Sequence, residues 1–148
     1  MKTIYTMGYA GKDPAKLANL VKDLDAVVFD VRFQPHSRDN RWAGWALRRK
    51  LGEGEYRHVL TLGNRNYKIG GPIEIVNLDA GIEEIEKCEK TVILLCACKD
   101  PKDCHRTVIA LALIARGHYV FEAVLPVAPG EGISVSPVKV QPVQESLF

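Results

Sequence analysis

Thr91-Val92-Ile93-Leu94-Leu95-Cys96 is the longest unbroken β-favouring run in the chain, and the polar stretch Lys99-Asp100-Pro101-Lys102-Asp103 follows it closely. From Asp103 or Cys104 the pattern turns helical as far as Ala115, and Gly117 stops it. A short apolar run that passes through a loop into a helix suits a buried parallel strand with its crossover helix. The same alternation recurs on both sides. Lys2 to Met7 reads as a strand, Gly8 to Gly11 as a turn, and Asp13-Pro14 as the N-cap and first residue of a helix. Ala26 to Phe29 is a second apolar strand, ending in Asp30-Val31-Arg32. Residues 32–41 read as loop, Trp42 to Leu51 as helix ended by Gly52, and Tyr56 to Leu62 as a further strand. Asp79 is read as the cap of an acidic helix reaching about Cys88, and Tyr119 to Leu125 as a last strand. The expectation is an α/β domain, a mostly parallel sheet with helices on both faces in three layers, α/β/α.

The compact domain is expected over residues 1–125. Beyond it, residues 126–148 hold four of the eight prolines and read as a flexible Pro/Gly-rich tail. At 148 residues, 47% hydrophobic and 26% charged, the composition is that of one globular domain. No apolar run approaches the roughly 20 residues that span a bilayer, and Met1 to Tyr5 has no signal-peptide character. The expected location is the cytoplasm, with no membrane partner. Four cysteines, Cys88, Cys96, Cys98 and Cys104, lie within 17 residues, which points to reduced thiols, a metal or redox chemistry rather than a secreted disulfide scaffold.

Charge is distributed unevenly. Residues 32–68 hold nine Lys/Arg against three acids, and residues 69–90 hold six acids against two lysines. The basic segment also carries Trp42, Trp45 and Tyr56, and arginines interleaved with aromatics suit a polyanion. Arg41, Trp42, Arg48 and Arg49 are the expected nucleic-acid contacts. The plainer alternative is a solvated helix whose tryptophans pack inward.

Ligand sites of parallel sheets form at the carboxyl ends of strands. Cys96 and Cys98 lie at such an end, and Cys104, His105 and Arg106 lie at the start of the next helix. Free backbone N–H groups there attract anions and lower a cysteine pKa, and an arginine adds a fixed positive fork. Thr6-Met7-Gly8-Tyr9 and Asp30-Val31-Arg32, with Pro35, Ser37 and Arg38, should reach the same edge. Asp30, Cys96, Cys104 and His105 are therefore the expected catalytic groups, and Tyr9, Arg32, Ser37, Arg38 and Arg106 the expected anion-binding ones. A Cys96/Cys98/Cys104/His105 set would suit zinc. Adjacent side chains on a helix diverge by about 100°, however, which sets Cys104 against His105 as joint ligands, so no cofactor is predicted. Inert packing of the cysteines is the third reading.

Three ordered motifs, Thr6-Met7-Gly8-Tyr9, Asp30-Val31-Arg32-x-x-Pro35-x-Ser37-Arg38 and Leu95-Cys96-x-x-x-Asp100-Pro101-x-x-Cys104-His105-Arg106, resemble the family called domain of unknown function 488 over about residues 3–125. The resemblance implies a compact α/β domain of unestablished activity. Its motif positions here are Tyr9, Asp30, Arg32, Ser37, Arg38, Cys96, Cys104, His105 and Arg106. Cys98 departs from it, standing where the family more often carries an acid. The strand-end cysteine is also similar to those of rhodanese-like sulfurtransferases and cysteine phosphatases. Arg106 comes ten residues after Cys96, too far for their short anion loop.

Gln144-Glu145-Ser146-Leu147-Phe148 is similar to the peptides by which bacterial DNA polymerases and repair proteins dock on the sliding clamp. Gln144 would meet the pocket rim, and Leu147 and Phe148 would fill the apolar cleft. Gln141 with the same two residues approximates the archaeal box less well. The combined expectation is an anion-binding domain that processes nucleic acid or nucleotides, repair-related and recruited to the clamp. The alternatives are a thiol-dependent sulfur- or phosphoryl-transfer enzyme, and a non-catalytic adaptor.

Overall fold

The computed structural model describes residues 1–98 and 104–139. Six strands form one sheet: β1 (Thr3–Gly8), β2 (Ala26–Asp30), β3 (Tyr56–His58), β4 (Thr91–Cys96), β5 (Tyr119–Val124) and β6 (Ser134–Pro137). Their spatial order is β3-β2-β4-β1-β5-β6. The first five run parallel, and β6 pairs antiparallel with β5. Helices α1 (Pro14–Leu24) and α2 (Gly44–Leu51) cover one face, and α3 (Leu78–Lys87) and α4 (His105–Ala115) the other. This is the expected three-layer α/β/α fold. Among the described residues no helix is long and apolar enough to cross a membrane.

Strand alternation divides the core. Val27, Phe29, Val92, Leu94 and Cys96 point toward α3 and α4, and Ala26, Val28, Ile93 and Leu95 toward α1 and α2. β2 and β4 are buried almost throughout, as central parallel strands must be when helices cover both faces. The Asp13 carboxylate accepts the Ala15 N–H and Pro14 opens α1, as the sequence indicated.

Three expectations are corrected here. Asn77, not Asp79, caps α3: its side-chain oxygen accepts the Ala80 N–H at 3.1 Å, and Asp79 lies within the first turn. The run from Tyr56 to Leu62 is a strand only to His58; the Leu62 N–H then bonds to the Val59 carbonyl and the chain turns. The sheet also gains β6 from residues 134–137, inside the segment read as tail, and the Val138 N–H bonds to the Val120 carbonyl at 2.9 Å. β6 is an edge strand, the position at which Pro137 costs no ladder bond that a neighbour needs.

The chain leaves β2 toward β3 beneath α2, and leaves β4 toward β5 beneath α4 on the opposite face. The carboxyl ends of adjacent β2 and β4 are therefore a topological switch point, where a crevice opens in sheets of this kind.

Candidate functional site at the switch point

β2 ends in Asp30, which is fully buried. The Arg32 guanidinium donates to it through Nε at 2.8 Å and Nη2 at 2.5 Å, and the Tyr56 hydroxyl donates at 2.5 Å. The remaining Arg32 fork donates to the Tyr9 hydroxyl at 3.2 Å. Burial works against the Arg32 charge, but the Asp30 hydrogen bonds and charge outweigh it and raise its pKa. Burial first, then the Asp30 charge, raises Tyr56. Asp30 is thus committed to holding β2, its exit loop and β3 together.

Arg106 is in the same condition. It has no exposed surface; it donates to the Glu122 carboxylate through Nε at 3.3 Å and Nη2 at 2.8 Å, and to the Cys98 carbonyl through Nη1 at 2.9 Å. Thr6 donates to the same carboxylate at 2.5 Å. Burial opposes the Arg106 charge, and Glu122 overrides it. The sequence expectation is that Asp30 supplies catalysis and that Arg32 and Arg106 await an anion; in the structure Arg32 is paired with the buried Asp30, and Arg106 with the partly buried Glu122. No buried side-chain nitrogen or oxygen among the described residues lacks a hydrogen bond. Glu122, 92 positions from Asp30, gave no sequence signal for its role.

The thiols do converge. Cys104 Sγ lies 2.8 Å from Cys96 Sγ, which lies 3.8 Å from Cys98 Sγ and 3.7 Å from His105 Nδ1. His105 Nε2 lies 2.6 Å from the Val31 carbonyl oxygen. A carbonyl only accepts, so Nε2 carries a proton and donates it, and Nδ1 is the ring nitrogen that faces the sulfurs. The hydrogen bond with Cys104, aided by burial and only partly offset by Cys98, pushes the Cys96 thiol up to about 12. For Cys98 the bond to Cys104 acts downward, but the bond to Cys96 and burial outweigh it, and its pKa is raised. Both shifts disfavour the thiolate form of Cys96 and Cys98. Gly8 makes room for the cluster: a Cβ there would stand 1.7 Å from the Cys98 carbonyl oxygen.

Cys96, Cys98 and His105 form the floor of a cleft of about 300 Å³. Arg32, Phe33 and Gln34 from the β2 exit line it together with Asn64 and Tyr67. The Phe33 and Tyr67 rings stand 5.8 Å apart, and the Tyr67 hydroxyl donates to Gln34 Oε1 at 2.6 Å. A shallower trough shares Gln34, His36 and Tyr67 with the cleft and continues to Ser37, Arg38 and Lys68. Ser37 accepts the Asp39 N–H, and Arg38 is exposed. Among the described residues neither Arg38 nor Lys68 is in an ion pair. Phe33, Gln34, Tyr67 and Lys68 are cleft residues that sequence reasoning missed. The polar loop at 63–68 carried no motif to mark it.

The basic segment is divided. Trp42 is 1% exposed, stacked on Tyr9 at 4.7 Å, with its indole N–H donating to the Lys12 carbonyl, so its expected nucleic-acid contact is corrected. Trp45 is the exposed tryptophan, at 62%, and lines an open groove of about 450 Å³ with Arg41, Arg49 and Lys50. Arg41 is held by Asp39 in a bidentate pair, and Arg48 lies over the Tyr56 ring. Gln144, Leu147 and Phe148 lie outside the described residues.

No curated protein and no solved structure matches the chain. A family model described as domain of unknown function DUF488 matches residues 74–113, which span α3, β4 and most of α4. The match takes in Cys96, Cys98, Cys104, His105 and Arg106, and leaves the Tyr9 and Asp30 motifs outside it. Over the segment that builds the thiol–histidine floor the chain is similar to a family whose description assigns no activity.

Proposed function

We propose that the cleft at the β2–β4 switch point binds a nucleotide unit of nucleic acid, with the base stacked against the Phe33–Tyr67 pair and its phosphates at Arg38 and Lys68. The observation that carries this reading is the continuity of an aromatic-walled cleft with a trough bearing two cations outside any ion pair. Every base has a π-face, so such a wall accepts bases without hydrogen-bond readout. A volume of about 300 Å³ is at the lower end of ligand sites and suits one base rather than a duplex. Arg41 just before α2, with Trp45, Arg48 and Arg49 on it, supplies further phosphate contacts, and the Gln144–Phe148 peptide supplies recruitment to the sliding clamp. Thiol-transfer chemistry in the same cleft would need a thiolate, and Cys96 and Cys98 are both raised.

Fluorescence anisotropy with a labelled oligothymidylate tests the reading. Stacking on an aromatic side chain contributes about 1–3 kcal/mol per base, so Tyr67→Ala should weaken binding about five- to 150-fold. Lys68→Ala should reduce the salt slope by about 1. Binding unchanged by both substitutions, but lost in Arg49→Glu, would move the interface to α2 and reject the cleft. Removing residues 144–148 should abolish capture by an immobilised sliding clamp and leave oligonucleotide affinity unchanged.

A further inference from the structure

The residue before α4 has a conformation that the sequence pattern does not reveal. Cys104 is extended, with φ −110° and ψ 137°, and the helix begins only at His105. The helical step that would drive neighbouring side chains apart does not operate between them. Cys96 Sγ, Cys104 Sγ and His105 Nδ1 accordingly lie within 4.8 Å of one another. Cys98, half-buried, adds a third sulfur 3.8 Å from Cys96 Sγ; it lies outside the mutually close set of Cys96, Cys104 and His105 and must swing inward to complete it.

We propose that this cluster binds one zinc ion, with the Sγ atoms of Cys96, Cys98 and Cys104 and Nδ1 of His105 as its four ligands. Thiolate and imidazole donors in a tetrahedral set are the chemistry that selects zinc. A Zn–S bond of about 2.3 Å places sulfurs on a tetrahedron roughly 3.7 Å apart. The Cys96–Cys98 separation of 3.8 Å already matches this; with a Zn–N bond of about 2.0 Å the sulfur–nitrogen spacing is roughly 3.5 Å, close to the 3.7 Å between Cys96 and His105. The Cys96–Cys104 separation must open from 2.8 Å by roughly 1 Å. Ligand orientation is also supported, because the Val31 carbonyl fixes the His105 tautomer that leaves Nδ1 bare, the outer-shell partner usual for a zinc-bound histidine. On binding, the three thiols release their protons to solvent and form three zinc–thiolate bonds, with no change of oxidation state. Four protein ligands saturate the ion, so it is structural, tying the β4 exit to the start of α4 beneath the cleft. The site does not depend on what the cleft binds.

The full chain, purified under reductant from zinc-supplemented cells, should hold close to one zinc per molecule by elemental analysis. Cobalt(II) exchanged into it should show thiolate charge-transfer bands and the intense ligand-field bands of a tetrahedral site. A mercurial reagent that caps thiols should release the metal. Cys98→Ser, at the least buried ligand, should stay folded by circular dichroism and lose zinc affinity by more than the roughly 10- to 100-fold typical of losing an outer-shell partner. Zinc-free protein with four titratable thiols would overturn the proposal, as would cobalt bound with an octahedral spectrum. A Cys96–Cys104 disulfide in protein kept under reductant would overturn it equally.

Discussion

Asp30 carries no exposed surface, and its two carboxylate oxygens are shared by Arg32 and Tyr56. Taking one member out of a buried ion pair leaves the other charge without compensation, which costs about 3–5 kcal/mol. Asp30→Asn should therefore lower unfolding stability by an amount in that range, read from urea denaturation. Arg38→Ala, on the surface, should stay within about 0.5 kcal/mol of the parent. Tyr56 extends the same triad to high pH. Its pKa is raised above the ordinary value near 10, so the unfolded chain loses this proton first. The stability that goes with it is fully present below about pH 10 and falls as pH rises toward the folded value. Tyr56→Phe should be the less stable protein at neutral pH, and the difference from wild type should shrink above pH 10. Urea midpoints between pH 7 and pH 11 check this. A strand-end carboxylate beside an arginine reads from sequence as catalytic machinery. Only the bonds that fold Arg32 back onto Asp30 show the pair to be closed, and those bonds depend on burial that no local pattern encodes.

At the scale of elements, α2 divides two similar tryptophans between core and solvent. Trp42 precedes the helix and packs on Tyr9, whereas Trp45 stands 62% exposed over the open groove. Trp42→Ala should cost about 3–5 kcal/mol by leaving a cavity. Trp45→Ala should change stability by no more than about 0.5 kcal/mol. Thermal melts of the two variants make the comparison. The helical composition of residues 42–51 was legible, but the side chain facing the core was not, because the helix is only about two turns long and three of its eight residues are basic. The other elements follow the same logic. β4 was plain from Thr91 to Cys96, where apolar side chains fill both faces, and α1 from its Asp13-Pro14 start. Asn77 and Asp79 are both good caps in sequence, and only the backbone decides that Asn77 holds the position. β6 was hidden because a four-residue edge strand with exposed side chains has no apolar alternation to announce it. Cys104 illustrates the reverse case. A single extended residue ahead of α4 brings together two side chains that helical spacing would separate.

For the whole molecule, strand order decides where chemistry can occur. β2 and β4 lie side by side and send their chains to opposite faces, so the loops that carry Phe33, Gln34 and His36 meet the thiol–histidine floor at one crevice. The edge was predictable from the alternation of strands and helices, and Arg38 was among its expected anion-binding residues; Lys68, which lies over the Tyr67 ring, was not. The arginines nearest the strand ends, Arg32 and Arg106, are locked to Asp30 and Glu122, and Arg38 and Lys68, farther along the loops, are left outside any ion pair among the described residues. In the proposed reading, attraction for a polyanion belongs to Arg38 and Lys68, and stacking to the aromatic pair lining the cleft. The most direct measurement is photocrosslinking of a short single-stranded oligonucleotide carrying 5-bromodeoxyuridine, with the attachment sites mapped by mass spectrometry. Attachment at Phe33 or Tyr67, reduced by competing unlabelled oligonucleotide, is the predicted result. Attachment confined to Trp45, or none at all at concentrations where anisotropy shows binding, would contradict a nucleotide site at the switch point.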